Sequence, residues 1–170
     1  MTSPAAAPTP RKRITTPDGT IAELVETRPA DAPARGSVRT KARKRALDIL
    51  FEADLRGVPA RESLAVHSAE ADPPVRPFTA DLVIGVADRQ AEIDPVISEC
   101  LAADWTLERM PRVDRVLARI AVYELLEGST SAEVVLQQAV QLAQELSTDD
   151  SAGFLNGLLA RARDRLAPSA

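Results

Sequence analysis

Apolar residues recur every three or four positions along most of the chain beyond residue 38, and no long stretch alternates between apolar and polar residues. This spacing places apolar side chains along one face of a helix rather than one face of a strand. Gly57 and Gly128 each follow such a run and predict left-handed helix ends. The pattern predicts seven helices with short connections and no sheet, at residues 39–56, 59–67, 78–90, 95–103, 111–127, 131–146 and 151–166, with a single turn opened by Thr106.

Two of these helices have an aspartate where the helix is expected to begin. Asp94 precedes Pro95, and Asp150 precedes Ser151. Aspartate at an N-cap accepts hydrogen bonds from free backbone N–H groups, and proline suits the first helical turn. We therefore expect Asp94 to cap the fourth helix and Asp150 to cap the seventh.

The first 38 residues differ from the rest of the chain. They contain six prolines among Ala, Thr and Ser, and no long apolar period survives there. The run from Thr20 to Val25 has the residues of a short strand or helical turn, but with prolines on both sides we expect no stable structure from it. The sequence thus predicts a disordered Pro/Ala-rich extension at residues 1–38 and an all-α domain at residues 39–167.

Composition narrows the class of protein. The chain is 45% hydrophobic but only 3% aromatic, so its core must be built mainly from aliphatic side chains. Its single cysteine, Cys100, cannot form an internal disulfide, which is typical of a reducing compartment. No apolar run reaches the length of a membrane span, and the N-terminus lacks the apolar stretch of a secretory signal. We expect a soluble, cytoplasmic protein.

Side chains suited to catalysis are scarce. His67 is the only histidine, and Cys100 has no histidine near it in sequence that would activate its thiol. No pair of His or Cys residues has the spacing of a metal site, and no glycine-rich phosphate loop is present. The sequence predicts a binding protein rather than an enzyme, with no cofactor and no metal.

Charge is distributed unevenly along the chain. Residues 1–45 hold ten Lys and Arg against four Asp and Glu, a net of +6, whereas residues 46–170 hold 11 against 21, a net of −10. Five cations fall within seven residues at the start of the first helix, where their mutual repulsion and the helix dipole both disfavour them. One interpretation is a solvated face that keeps the protein soluble. The alternative, which we favour, is a segment that binds RNA phosphates through Arg39, Lys41, Arg43, Lys44 and Arg45.

Four segments of the chain, in order, resemble the NusB family of transcription antitermination factors. The segment at residues 41–52 (KARKRALDILFE) resembles the family's arginine-rich first helix, although Thr40 interrupts the basic run. Residues 113–126 and 134–146 resemble its central helix and the helix that follows. Residues 149–159 (DDSAGFLNGLL) resemble its C-terminal signature, and the sequence of residues 146–151 (LSTDDS) resembles the actinobacterial branch of the family.

The resemblance implies a fold, partners and site residues. It implies two packed helical bundles that bind the boxA element of ribosomal RNA leader transcripts together with ribosomal protein S10 (NusE), and through it RNA polymerase and other Nus factors. It assigns RNA contacts to the five cations and to Arg119, and S10 contacts to Asp114, Asp150 and Phe154. Each of the last three also has a structural interpretation: a helix-dipole acid, a helix cap and a core residue.

Two other functions fit the same residues. The chain is also consistent with a stand-alone RNA-guiding module related to the helical domain of rRNA cytosine methyltransferases. It is equally consistent with a homodimer that masks its RNA site, since some members of the family dimerise. Capture of S10 and binding of leader RNA with an intact boxA would favour the antitermination function over these two alternatives.

Overall fold

The computed structural model describes residues 37–168 in full and the backbone of residues 12–15 and 21–24. Between residues 37 and 168 the chain forms seven α-helices and one 3₁₀ turn and has no strand, which confirms the all-α prediction. The helices are α1 (Val38–Arg56), α2 (Ala60–Glu70), α3 (Pro77–Asp88), α4 (Gln90–Cys100), α5 (Arg112–Glu127), α6 (Ala132–Leu146) and α7 (Ser151–Leu166), and the 3₁₀ turn is Leu107–Arg109.

The helices pack as two groups around one aliphatic core. α1, α2 and α3 contact one another, and α4, α6 and α7 gather around α5. α5 also contacts α1 and α3, so it joins the two groups. Its fully buried side chains, among them Val116, Leu117 and Ile120, follow the predicted helical spacing.

Local sequence explains most of the helix ends. The Ser37 hydroxyl accepts a hydrogen bond from the Thr40 backbone N–H at 3.1 Å, which caps the start of α1. Gly57 and Gly128 end α1 and α5 with φ of 65° and 67°, a left-handed conformation that glycine adopts without steric cost. Pro59 and Pro111 are the N-cap residues of α2 and α5, one position before the first helical residue, where the sequence had placed them inside the helices.

The fourth helix differs from its prediction. α4 begins at Gln90, five residues before the expected start, and Pro95 lies inside it. Asp94 does not cap this helix, because both of its carboxylate oxygens accept hydrogen bonds from Arg119 on α5. The expected cap is thus replaced by a contact between two helices.

The N-terminal extension is described only in part. Lys12–Thr15 (β1) pairs antiparallel with Ile21–Leu24 (β2), with Lys12 opposite Leu24 and Thr15 opposite Ile21. The sequence predicts no stable structure from Thr20 to Val25, and the pairing of Ile21–Leu24 corrects that prediction. The sequence between the two strands includes Asp18-Gly19, a dipeptide common in hairpin turns. The last two residues of the predicted extension belong to α1, as its cap Ser37 and its first residue Val38, and the remaining residues of the extension lie outside the described residues.

Among residues 37–168 we find no helix with both the length and the apolar character needed to cross a bilayer.

Candidate nucleic-acid and partner interfaces

The basic segment of α1 does not present all its cations to solvent. Arg39 and Lys41 are exposed, and Lys44 and Arg45 are half-buried. Arg43 lies on the side of α1 that carries Ala46, Leu47 and Leu50, and it is only 2% exposed. Of the five α1 cations predicted to bind RNA, four therefore reach the protein surface and one, Arg43, is buried.

Arg43 is held inside the protein by Glu124 of α5. Its Nε and Nη2 atoms donate to the two carboxylate oxygens of Glu124 at 2.8 and 2.7 Å, and Glu124 is itself only 4% exposed. The Arg43 guanidinium also lies 5.3 Å from the centre of the Phe78 ring. A phosphate could reach Arg43 only after this buried pair had opened, which would leave a charge without its partner in the core.

The cations that reach the surface differ in their contacts with the rest of the protein. Lys44 forms an ion pair with Glu145 of α6, and this hydrogen bond raises the pKa of the lysine. Arg39 lies over the exposed side of the Phe78 ring at 4.9 Å. Its Nη1 atom is 3.5 Å from the Thr130 hydroxyl, a weak contact. An RNA phosphate would compete with Glu145 for Lys44, whereas among residues 37–168 no carboxylate is bound to Arg39.

Thr40, which interrupts the basic run, has a structural role. It is buried, and its hydroxyl donates to the Oε1 atom of Gln138 on α6 at 2.6 Å. Gln138 is also buried. An arginine at position 40 would place a charge in this interface between α1 and α6, so the interruption follows from packing.

Arg119 lies on α5 five residues before Glu124, and its partner is on α4. Its Nε and Nη2 atoms donate to Asp94 at 2.8 and 2.9 Å, and its side chain is 14% exposed. The structure therefore engages Arg119 in joining α4 to α5. Its assignment to RNA stays a prediction.

Asp114, assigned by resemblance to partner binding, lies at the start of α5 and is buried. It accepts hydrogen bonds from the hydroxyls of Ser147 at 2.6 Å and Ser151 at 2.8 Å. These serines stand at the end of α6 and the start of α7. Asp114 thus fixes the corner between α6 and α7 and so positions the side chains that are exposed there.

Asp150 and Phe154 are displayed at this corner. Asp150 occupies the predicted N-cap position of α7. Its side chain is exposed and makes no cap hydrogen bond, so the predicted capping by the carboxylate is wrong. Phe154 is one turn further along α7 and half-buried. The corner therefore presents a free carboxylate beside an aromatic ring.

Trp105 completes this surface and was missed in the sequence. It is 43% exposed, and its ring centre is 5.9 Å from that of Phe154. The Arg109 guanidinium lies 5.5 Å above the Trp105 ring. A tryptophan in a polar loop just after a helix, as at Asp104-Trp105-Thr106, was the available signal, because large aromatic residues left in solvent often mark interfaces. We call Trp105, Arg109, Asp150 and Phe154 the aromatic corner.

Neither candidate catalytic residue has the surroundings of a reactive site. Cys100 is buried, and burial raises the pKa of its thiol. His67 contacts Glu52, with Nε2 2.5 Å from a carboxylate oxygen. Within the described residues no group of His, Cys, Asp and Glu is arranged to hold a metal ion.

The chain is similar in sequence to proteins of one known family. The family model described as the NusB family matches residues 40–164. The transcription antitermination protein NusB of Cutibacterium acnes is 56% identical over 123 residues, which cover 72% of this chain and 47% of that protein. The chain thus spans about half the length of this relative. NusB of Acidothermus cellulolyticus is also 56% identical, over 126 residues that cover 74% of this chain and 86% of the relative.

A solved structure supports the same assignment. The structure of the antitermination factors NusB and NusE in complex with dsRNA contains a chain that matches this one with a TM-score of 0.67 and 25% identity, covering 75% of this chain and 96% of that chain. The family model, the curated relatives and the fold therefore agree over the helical region, and the chain belongs to the NusB family.

Proposed function

We propose that this chain is a transcription antitermination and rRNA biogenesis factor that binds boxA RNA of rRNA leader transcripts together with ribosomal protein S10 (NusE). The observation that supports this most strongly is the family match over residues 40–164. The solved complex of related proteins, which joins NusB, NusE and RNA, supports the choice of partners. The chain acts by recognition, and the bound RNA and S10 connect it to the elongating polymerase and other Nus factors.

The RNA-binding surface lies on the first two turns of α1. Arg39, Lys41, Lys44 and Arg45 all reach the protein surface there, and their charges neutralise phosphates of a single strand. Arg43 contributes indirectly, because its pair with Glu124 fixes α1 against α5. Phosphate contacts position the strand but carry little sequence information, so the choice of boxA requires base contacts as well.

The S10-binding surface is the aromatic corner. The Trp105 and Phe154 rings offer apolar contact area, and the exposed Asp150 carboxylate offers a charged acceptor beside them. Interfaces are often centred on such aromatic residues with polar groups at the rim. Asp114 acts from beneath, through the two serines that hold the corner. When one chain binds RNA and S10 at once, two modest interfaces reinforce each other.

RNA binding is tested by mobility shift with leader RNA that carries an intact or a scrambled boxA. Lys41→Ala with Arg45→Ala should weaken binding to both RNAs and flatten its dependence on salt. Arg163→Ala, at the end of α7, is the control because it removes a half-buried arginine far along the chain from α1, with a side chain that is 40% exposed. Equal affinity of the wild-type protein for intact and scrambled RNA, with and without S10, would refute boxA recognition.

S10 binding is tested by capture of purified S10 on the immobilised protein. Asp150→Ala and Trp105→Ala should reduce capture while leaving the far-ultraviolet circular dichroism unchanged, because both side chains are exposed. Light scattering of the protein alone and with S10 distinguishes a resting homodimer from a heterodimer. Unchanged capture by both variants would move the S10 site away from the aromatic corner.

A further inference from the structure

A cleft between α1 and the loop before α3 collects cations from two separate parts of the chain. Lys41 and Arg45 line it from α1, and Arg76 lines it from the residue before α3. The cleft has a volume of about 290 Å³, and its remaining polar lining is Asp72 and Thr79. Arg76 lies 31 residues beyond the basic segment, so neither the charge cluster nor the family resemblance singled it out.

No carboxylate binds any of the three cations in the part of the chain that the structure describes. Among residues 37–168, none of them has an ion pair or a side-chain hydrogen bond, whereas Arg43 and Lys44 are bound to Glu124 and Glu145. Three positive charges close together repel one another, and Asp72 at the cleft and Asp48 beside Arg45 offset only part of that repulsion. Such a cluster is stabilised when an anion occupies it.

The remaining surroundings also favour an anion. Thr79 is buried and its hydroxyl donates to the Ala42 carbonyl, so it is already satisfied. Asp72 is the one carboxylate that lines the cleft, which leaves a net charge of +2. The cleft lies at the N-terminus of α3, where Arg76 is the N-cap residue and no side chain caps the helix. The unpaired N–H groups at a helix N-terminus carry partial positive charge that adds to the same field.

We propose that Lys41, Arg45 and Arg76 form a phosphate-binding cleft that carries the backbone of the bound RNA from α1 onto the loop before α3. The inference rests on the proposed function and adds a contact from outside the basic segment. Lys41 and Arg45 are one helical turn apart, about 6 Å along the axis, a separation comparable with that of successive phosphates in a single strand. Arg76 then binds a phosphate displaced to one side, with a guanidinium suited to two-point contact.

The charged lining of the cleft favours one kind of ligand. Pockets for whole small molecules are mostly lined by apolar and aromatic side chains and bury most of their ligand. This cleft is lined by charged groups, so it fits a phosphate group of a longer chain. A free phosphate offers the same chemistry, and the two sources are separated by experiment.

The test measures the binding of two labelled single-stranded RNAs, boxA RNA and an oligouridine, over a range of salt concentrations. Arg76→Ala should weaken binding to both by a similar factor, roughly fivefold. It should also lower the slope of log affinity against log salt by about 0.7, the value for one phosphate contact on a single strand. Arg76→Lys should restore the slope, and Arg163→Ala should match the wild type.

A second variant acts in the opposite direction. Asp72→Asn removes the one negative charge that lines the cleft and should tighten binding to both RNAs. Calorimetric titration with inorganic phosphate at constant ionic strength should show no saturable binding, because a single free ion lacks the contacts of neighbouring nucleotides. Saturable phosphate binding that Arg76→Ala abolishes, with RNA affinity unchanged, would identify a free-anion site and overturn the proposal.

The outcomes separate this proposal from the proposed function. If the wild-type protein binds neither RNA, both fail. If Lys41→Ala with Arg45→Ala weakens RNA binding while Arg76→Ala leaves affinity and salt slope unchanged, the RNA-binding function stands and the cleft is refuted. Arg76 is exposed and caps no helix with its side chain, so loss of folding does not confuse the comparison; equal melting temperatures check this.

Discussion

Arg43 and Glu124 form a buried, two-point ion pair between α1 and α5, with donor–acceptor distances of 2.8 and 2.7 Å. The pair joins the helix that carries the basic segment to the helix that contacts both groups of the fold. A buried charge whose partner is removed remains without solvation, which costs far more than the pair contributes when intact.

Arg43→Ala should therefore destabilise the protein by about 3–5 kcal/mol, measured as the free energy of unfolding in urea. Lys44→Ala, which removes the half-buried partner of Glu145, should cost much less and serves as the control. The double change Arg43→Met with Glu124→Leu should restore most of the lost stability, since no unpaired charge remains. A single variant as stable as the wild type would show that the pair is open in solution.

Gly85 allows the Tyr123 ring of α5 to pack directly against α3. A Cβ atom at this position would lie 2.1–2.4 Å from three atoms of the ring end, so the tyrosine would have to move. Gly85→Ala should cost about 1–3 kcal/mol through overpacking, which outweighs the gain in helix propensity. Adding Tyr123→Leu should relieve most of this cost.

Gly153→Ala is the matched control for that substitution. Gly153 is also helical, but a Cβ atom there meets nothing within 4 Å. Alanine should therefore stabilise the protein by about 0.5–1 kcal/mol through helix propensity alone. Thermal unfolding of both variants compares the two sites, and a loss of stability at Gly153 equal to that at Gly85 would contradict the steric explanation.

Asp114 should be required for stability, whereas Asp150 should not. Asp114→Ala leaves the Ser147 and Ser151 hydroxyls without their buried acceptor and should cost about 1–3 kcal/mol. Asp150→Ala removes an exposed carboxylate with no cap hydrogen bond and should stay within about 0.5 kcal/mol of the wild type. Chemical denaturation measures both, and the opposite ranking would show that Asp150 holds the corner.

The contact between α1 and α2 should weaken in acid. The hydrogen bonds of His67, and next of Arg56, lower the pKa of Glu52 below its ordinary 4.5. A carboxylate with a lowered pKa in the folded state contributes stability above its unfolded pKa and loses it as the pH falls through the folded value. The stability that Glu52 contributes should thus be complete above about pH 4.5 and decline below it.

Glu52→Gln tests this dependence, because glutamine has a similar shape and does not titrate. Urea midpoints of the wild type should fall more steeply than those of the variant as the pH drops below about 4.5. Parallel curves for the two proteins would mean that the Glu52 contact contributes nothing to folding.

Local signals account for the parts of the fold that the sequence predicted well. The ends of α1 and α5 were predictable because a left-handed residue at a helix end strongly favours glycine, as at Gly57 and Gly128. The start of α4 was not, because Asp94 and Pro95 form a plausible local start. The partner that uses Asp94 instead, Arg119, is 25 residues away.

The candidate site shows the same division between local and distant information. A cluster of cations can be recognised in the sequence, but whether each cation is buried, paired or exposed depends on the helix that packs against it. One usable signal was present: Arg43 falls on the apolar stripe of α1 and Glu124 on that of α5, so two opposite charges occupy core positions of different helices. Arg76 and the Lys41–Arg45 turn gave no such signal, because only the folded loop brings them together.

The position of Trp105 has a practical consequence. It is the single tryptophan of the chain, and it stands in the aromatic corner beside Phe154 and Arg109. Its intrinsic fluorescence therefore arises from one place, so a partner that covers the corner should shift its emission to shorter wavelength without any attached dye. RNA held on α1 should leave the emission unchanged, so the emission reports partner binding independently of RNA binding.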